Sequence, residues 1–298
     1  MIFLLLSACG QFVPAGSALN DGTSTLTADV ELATREELAE VTHLNHYAQD
    51  GLFRYHVRDT QWGGGTARGV DYRAILDSPE ARVTLADALA NLGAIDPGAL
   101  EGRPERLAYW LNLYNLWVVV GVLDALEADP AYAGVESDEF ALFNTNFVQA
   151  GGWSLTLNQV EHCVLRGDPW SFDNYIDDPE MADALWGWHE QLWEGGPVDA
   201  RIHVGVNCAS LGCPDLLDGA FQPATVDDQL DAAATRFLAH PAKGAGPQGI
   251  STLFSWFAAD FEGSHGGAAP FIEAYRVGGT EGVRLDAYLD YDWSLNAL

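Results

Sequence analysis

The chain reads as an α+β protein, mostly helical, forming a single domain with one small sheet. Three observations predict this. The stretch from Pro104 to Leu126, PERLAYWLNLYNLWVVVGVLDAL, is apolar nearly all round, the pattern of a buried central helix. Several other stretches carry the three-to-four-residue spacing of amphipathic helices. Two short segments, 201–208 and 288–295, alternate apolar and polar residues with the period of strands and are assigned to the sheet.

The elements follow in chain order. Residues 1–8 are an apolar run leading into Leu-Ser-Ala-Cys, the pattern of a bacterial lipoprotein signal cut before Cys9, which would carry the lipid. The run lacks a basic start and is far too short to span a bilayer, so it reads as part of a longer signal. Residues 9–33, rich in Gly, Ser, Thr and Ala, are expected to be a flexible tether, and 34–298 the globular domain. Helical spacing covers Thr34 to Tyr55 through Leu38, Val41 and Leu44; Gly63 to Gly65 break it. A second helix is expected over Ser78 to Leu92, with the Ser-Pro pair at its start.

In the central helix, Asn112 and Asn115 are three apart and share a face, with Tyr114 beside them. A buried amide without partners costs about 1–3 kcal/mol. These two therefore either tie down a loop backbone or line a site. Thr156 and Gln159 fit a capping box opening a helix with Glu161, His162 and Arg166. There His162 and Arg166 share a face, and Glu161 points about 100° away from His162. Asp168 to Asp199 reads as an insertion or covering helix. Val226 to His240 is amphipathic, Ile250 to Phe261 combines a strand with a helix, and Tyr288 to Asn296 alternates like a terminal strand.

Composition removes whole classes of partner. The chain has 14 Lys plus Arg, with Lys243 the single lysine, against 43 Asp plus Glu, for a formal net charge of −29. Such a charge repels phosphate backbones and anionic lipid headgroups, so no nucleic acid is expected, and membrane contact only through Cys9. No phosphate-cradling glycine loop, nucleotide fingerprint or Gly-x-Ser-x-Gly elbow is present, and no cofactor is expected.

The most informative stretch is Arg201 to Leu216, RIHVGVNCASLGCPDL. Ile202, Val204 and Val206 alternate with Arg201 and His203, then run into a loop holding Asn207, Cys208, Ser210 and Cys213. Polar side chains gathered where a strand ends mark a candidate site.

Four segments together resemble the bacterial and plant family called domain of unknown function 547. They are the helix with Trp110, Asn112, Tyr114 and Asn115; the Ser-Leu segment leading to Glu161-His162 and Leu165-Arg166; Arg201-x-His203 running into Asn207-Cys208-Ala209-Ser210 and Cys213-Pro214; and the closing Tyr291-Asp292-Trp293-Ser294-Leu295-Asn296. Their order and spacing match from about Val70 to Asn296. The second segment is loosened, and Cys163 stands where the family usually has a small residue, so Cys163 takes no shared role. The resemblance implies a bacterial envelope setting, lipid-anchored and facing the periplasm or exterior. It supplies a domain but no reaction, since the family's activity is not established.

The residues leave several chemistries open for a pocket formed where these segments meet. One is a non-catalytic pocket for a small molecule or envelope component, lined by Asn112, Tyr114, Asn115, Arg166, Asn207 and Ser210. A Cys208–Cys213 disulfide would close its loop, stabilising by about 2–3 kcal/mol. The alternative is a thiol-dependent hydrolase or acyl transferase. Cys208 or Cys213 would be its nucleophile, His203 or His162 its base, and Glu161 or Asn207 the orienter. Asn112, Asn115 or the amides of 209–212 would stabilise an oxyanion. Strand parity puts His203 and Cys208 on opposite faces, favouring Cys213 or a pairing with His162. A zinc site from Cys208, Cys213, His203 and His162 is the third class, with Cys-x4-Cys at the wide end of ligand spacing. The two thiols as a redox pair depart from the Cys-x-x-Cys pattern. Fatty-acid labelling of the protein, lost on Cys9→Ser, is the expected result if the anchor is real; labelling retained by that variant contradicts it.

Overall fold

The computed structural model describes residues 46–145 and 147–298. The signal, Cys9, the tether and the predicted helix from 34 to 45 lie outside the described residues. Within them the protein is helix-dominated, with three separate two-stranded antiparallel sheets, an α+β arrangement.

The central helix runs Gly102–Ala128, and every residue from Leu107 to Val120 is buried. A helix apolar on all faces must be enclosed on all faces. Tyr72–Asp77, Pro79–Gly93, the turn Gln159–Leu165, Pro179–Trp193 and Val226–Ala239 all pack against it. Trp110, Tyr109, Tyr114 and Trp117 are its largest buried side chains. At about 1.5–3 kcal/mol for each large apolar side chain removed from water, this helix dominates the burial energy.

Local signals fix most boundaries. Ser78 accepts the Ala81 N–H, and Pro79 takes the first helical position, as expected. Asp71, Asp168 and Asp178 cap their helices in the same way. Gly63 and Gly64, with φ of 56° and 79°, make the two-residue turn of a hairpin pairing Val57–Trp62 with Gly65–Val70. Both turn positions need positive φ, which is why glycines stand there. The covering segment 168–199 resolves into two helices, Pro169–Tyr175 and Pro179–Trp193.

Two predicted strands are not strands. Residues 201–208 begin as a helical turn, Ile202–Gly205, before the chain extends at Val206. The side chains divide with a helical period. Ile202 and Val206 enter the main core, while Ala200 and Val204 enter a second core with Phe237, Phe254, Phe257, Phe261 and Phe271. Asp199 starts the turn by accepting the Arg201 N–H at 3.0 Å. The alternation in the sequence was a coincidence of this two-sided burial.

The tail 288–296 is extended but forms no ladder, because it meets each of its partners, strand ends and loops alike, at a single residue. Single bridges join Tyr288 to Ile250, Ser294 to Gly134 and Leu295 to Ser210. The sheet expected to unite 201–208 with 288–295 is therefore replaced by one bridge, Ser210 with Leu295. Tyr291 and Trp293 still bury against Trp256, ring centroids 4.9 and 5.8 Å away.

Gly134 is the tightest point of this seam. Its φ is 149°, and a Cβ there would lie 2.4 Å from the Trp293 carbonyl oxygen. Gly134→Ala is expected to cost about 2 kcal/mol and to lower Tm by several degrees. Hydrogen exchange should rise in 288–296, and unchanged exchange there would contradict the seam.

Candidate functional site

The elements around the central helix bring the predicted residues to one place. Tyr114, Glu161, His203, Cys208, Cys213 and Tyr291 line a cavity of about 10 Å³, together with Val206, Pro214, Leu253 and Phe257. That volume holds about one water-sized sphere.

Glu161 reaches the cavity because the Glu-His segment is a π-helical turn, Gln159–Leu165, with every residue buried. The capping box forms reciprocally: Gln159 N–H donates to Thr156 Oγ1 at 3.0 Å, and Thr156 N–H to Gln159 Oε1 at 2.9 Å. The wider turn, with Arg166 N–H donating to Glu161 O, changes the angular spacing expected of an α-helix. Glu161 Oε2 accepts the Tyr114 hydroxyl at 2.7 Å. His162 lies outside the cavity wall, where its Nδ1 accepts from Arg166 at 3.1 Å. His162 is not among the residues lining the cavity.

His203 is. Because 201–205 is a helical turn, strand parity does not separate His203 from Cys208, and both line the cavity. His203 Nε2 lies 2.8 Å from Asp260 Oδ2. An ionised carboxylate only accepts, which assigns the Nε2–H tautomer and leaves Nδ1 with its lone pair. Among the described residues, Nδ1 is buried without a hydrogen-bond partner. Phe257 stacks on the imidazole, centroids 3.9 Å apart. Burial lowers the His203 pKa, with the Asp260 contact opposing it, so the ring is neutral near pH 7.

Asp260, which sequence reasoning did not single out, is the residue bonded to the His203 ring. Burial would raise its carboxyl, but His203 and the Arg166 guanidinium at 2.6 Å hold it below the usual carboxylate range. A signal was present. Phe257, Asp260, Phe261 and Ser264 fall at i, i+3, i+4 and i+7, placing one acid on the apolar stripe of a helix. Tyr291, read only as a core residue of the tail, also lines the cavity; its hydroxyl lies 3.1 Å from Cys208 Sγ.

The backbone carrying Cys208 is held by amide side chains. Asn115 accepts the Asn207 N–H and donates to Gly205 O, both at 2.8 Å. Asn207 donates to Pro214 O at 2.7 Å and accepts the Ala209 N–H at 3.0 Å. These contacts sustain Ala209 at φ 61°, a left-handed conformation that a non-glycine residue rarely adopts. Asn112 does the same for a neighbouring loop, pairing with both the N–H and C=O of Phe221 at 2.8 Å. Both central-helix amides thus tie down loop backbone.

Asn112 Nδ2 and the amides of Ala209, Leu211 and Gly212 donate to groups outside the cavity lining or within the loop itself. Ser210 is buried, donating from Oγ to Cys208 O at 3.4 Å. Lys243 is buried too, its Nζ donating to Cys213 O at 2.7 Å and to Asp215 at 2.6 Å.

Cys163, Cys208 and Cys213 are buried, and no disulfide joins them in this structure. Cys213 Sγ accepts the Cys208 N–H at 2.9 Å. Burial, then the neighbouring Cys208, push the Cys213 pKa well above the usual thiol value; burial raises Cys163 to about 12. Among the described residues, no three His, Cys, Asp or Glu side chains group so as to hold a metal ion.

Two buried histidines make stability depend on pH. Burial lowers His46 to about 4 and also lowers His203. Below about pH 6.5 the unfolded chain binds protons there that the folded chain refuses, so stability falls as pH drops from about 7 to 5. The lowered carboxylates Asp199, Asp215 and Asp260 act only at lower pH. Urea midpoints should therefore fall over that window, and by less in His46→Gln; a flat profile contradicts the buried neutral rings.

Neither a curated protein nor a solved structure matches the chain. A family model does, over residues 98–238. That span contains Tyr114, Glu161, His203, Cys208 and Cys213 but stops short of Asp260 and Tyr291. Residues 98–238 are thus similar to the family described as protein of unknown function, DUF547.

Proposed function

We propose that the domain is a thiol-dependent hydrolase or acyl transferase, carried in the bacterial envelope as a lipoprotein anchored through Cys9. The observation carrying the reading is His203, which lines a cavity with two thiols: one ring nitrogen lies on Asp260, and the other is buried and unpartnered among the described residues. A buried acceptor left unpaired costs about 1–3 kcal/mol, a cost tolerated where the lone pair has work to do.

Cys208 is the nucleophile in this reading. It adjoins the strained Ala209 turn, and strained backbone held in place by surrounding contacts gathers at active sites. Cys213 has its sulfur on a backbone amide and its pKa pushed up. His203 Nδ1 takes the Cys208 thiol proton as sulfur bonds to the acyl carbon. The leaving group departs with that proton from the imidazolium. Water or a second acceptor then attacks the thioester, returning its proton through His203. Asp260 is a positioning residue that holds the tautomer and stabilises the imidazolium. The Tyr291 hydroxyl stands beside the reacting sulfur.

A second reading, the ligand pocket with a Cys208–Cys213 bridge, draws support from the contact that sets the Cys213 sulfur against residue 208.

The test is acylation of fully reduced protein by p-nitrophenyl acetate, read by mass spectrometry. An acetyl adduct on Cys208 is expected, absent in Cys208→Ala. It should form about 10²-fold or more slowly in His203→Gln, while Asp260→Asn slows it and shifts its pH profile. No adduct on reduced protein, with the purified protein isolated as the bridged form, sinks the catalytic reading in favour of the pocket.

A further inference from the structure

A second cleft opens beside the site, on the other side of the elements that carry its dyad. Arg201 stands two residues before His203, and Ser264 and His265 follow Asp260 on the helix Ala258–His265. With Arg103, Trp193, Asp231 and Tyr275 they line a cleft of about 450 Å³. Small-molecule sites run about 300–1,000 Å³.

Its charges are already balanced against one another. Arg201 donates to Asp199, Asp227 and Asp231 at 2.6 Å each. Arg103 donates to Asp199 at 2.7 Å and to Asp227 at 3.2 Å. An anion would have to displace these carboxylates, and a cation would meet a guanidinium already bonded to each acid. A neutral ligand rich in hydroxyls meets neither penalty. Asp231 accepts from Arg201 through Oδ1 and its side chain is 51% exposed, so further donors can reach it. A carboxylate offers about four acceptor positions.

The remaining wall is aromatic and uncharged. His265 and Tyr275 stand edge to face, centroids 5.6 Å apart, with the Tyr275 hydroxyl 3.3 Å from His265 Nε2. Ser264 Oγ bonds the other ring nitrogen. Burial lowers the His265 pKa. The Arg103 guanidinium lies over Trp193, 5.5 Å from its centroid. Rigid ring faces pack against the C–H faces of a pyranose, while paired Asp and Arg groups bond its hydroxyls.

We infer that this cleft binds a neutral saccharide, with Tyr275 and His265 as the apolar platform and Asp231 as the hydroxyl acceptor. The inference does not rest on the thiol chemistry.

Saturation-transfer NMR on the full chain tests it, with cellobiose, maltose, lactose and diacetylchitobiose as probes at up to about 10 mM. At least one should bind, with affinity falling about tenfold in both Tyr275→Ala and Asp231→Ala. Raising salt from about 0.05 to 0.5 M should leave it within about twofold, since no ion pair is formed. Asp231 is exposed, so Asp231→Ala decides the matter should Tyr275→Ala fold poorly. No signal from any of the four overturns the inference, as does binding unchanged in Asp231→Ala. Salt-sensitive binding of spermidine, with no saccharide bound, overturns it in favour of a cation site.

Discussion

One carboxamide can satisfy a backbone donor and a backbone acceptor together, and the organisation around Cys208 depends on Asn115 doing so. The segment 205–214 has neither helix nor ladder to pair its peptide groups. Buried peptide groups must nevertheless be paired. Asn115, fixed on a buried helix, reaches Gly205 O and Asn207 N–H, and Asn207 passes the constraint to Ala209 and Pro214. Asn296 donates to Asn207 Oδ1 at 3.2 Å, joining the C-terminal tail to the same chain of amides. An irregular loop is thereby held as firmly as a secondary element would be.

Rigid support explains why strain can persist there. Ala209 keeps a left-handed conformation because contacts on both sides over-determine it. Lys243 adds a charge-assisted hold from below, bonding the Cys213 carbonyl within a buried pair with Asp215. Burial would raise the Asp215 carboxyl, yet Lys243 and Arg236 keep it lowered. The one lysine of a strongly acidic chain thus anchors the thiol loop rather than the surface.

The dyad lies on the seam between the two cores. Ile202 and Val206 pack into one, Ala200 and Val204 into the other, and His203 stands between them against Phe257. That position gives the imidazole a dry environment, which keeps it neutral, and a single polar neighbour, which sets its tautomer. Arg166 and Asp260 complete a short charged chain whose members come from the Glu-His segment and the C-terminal helices.

Much of this was legible in the residues. The all-round apolar helix, the Ser78 cap, the Thr156–Gln159 box and the need of Asn112 and Asn115 for polar partners are local facts, set by neighbours within a turn or by the cost of burying an amide. Convergence of Glu161, His203 and the two thiols was anticipated from the grouped segments. What the residues alone could not decide was anything settled by distant contacts. Alternation at 201–206 fits a strand equally with a turn pressed between two cores, and only the second core decides. Likewise, 288–296 has strand composition but meets its partners one residue at a time. Asp260 lies 57 positions from His203, and an acid on an apolar stripe names no partner until the chain has folded.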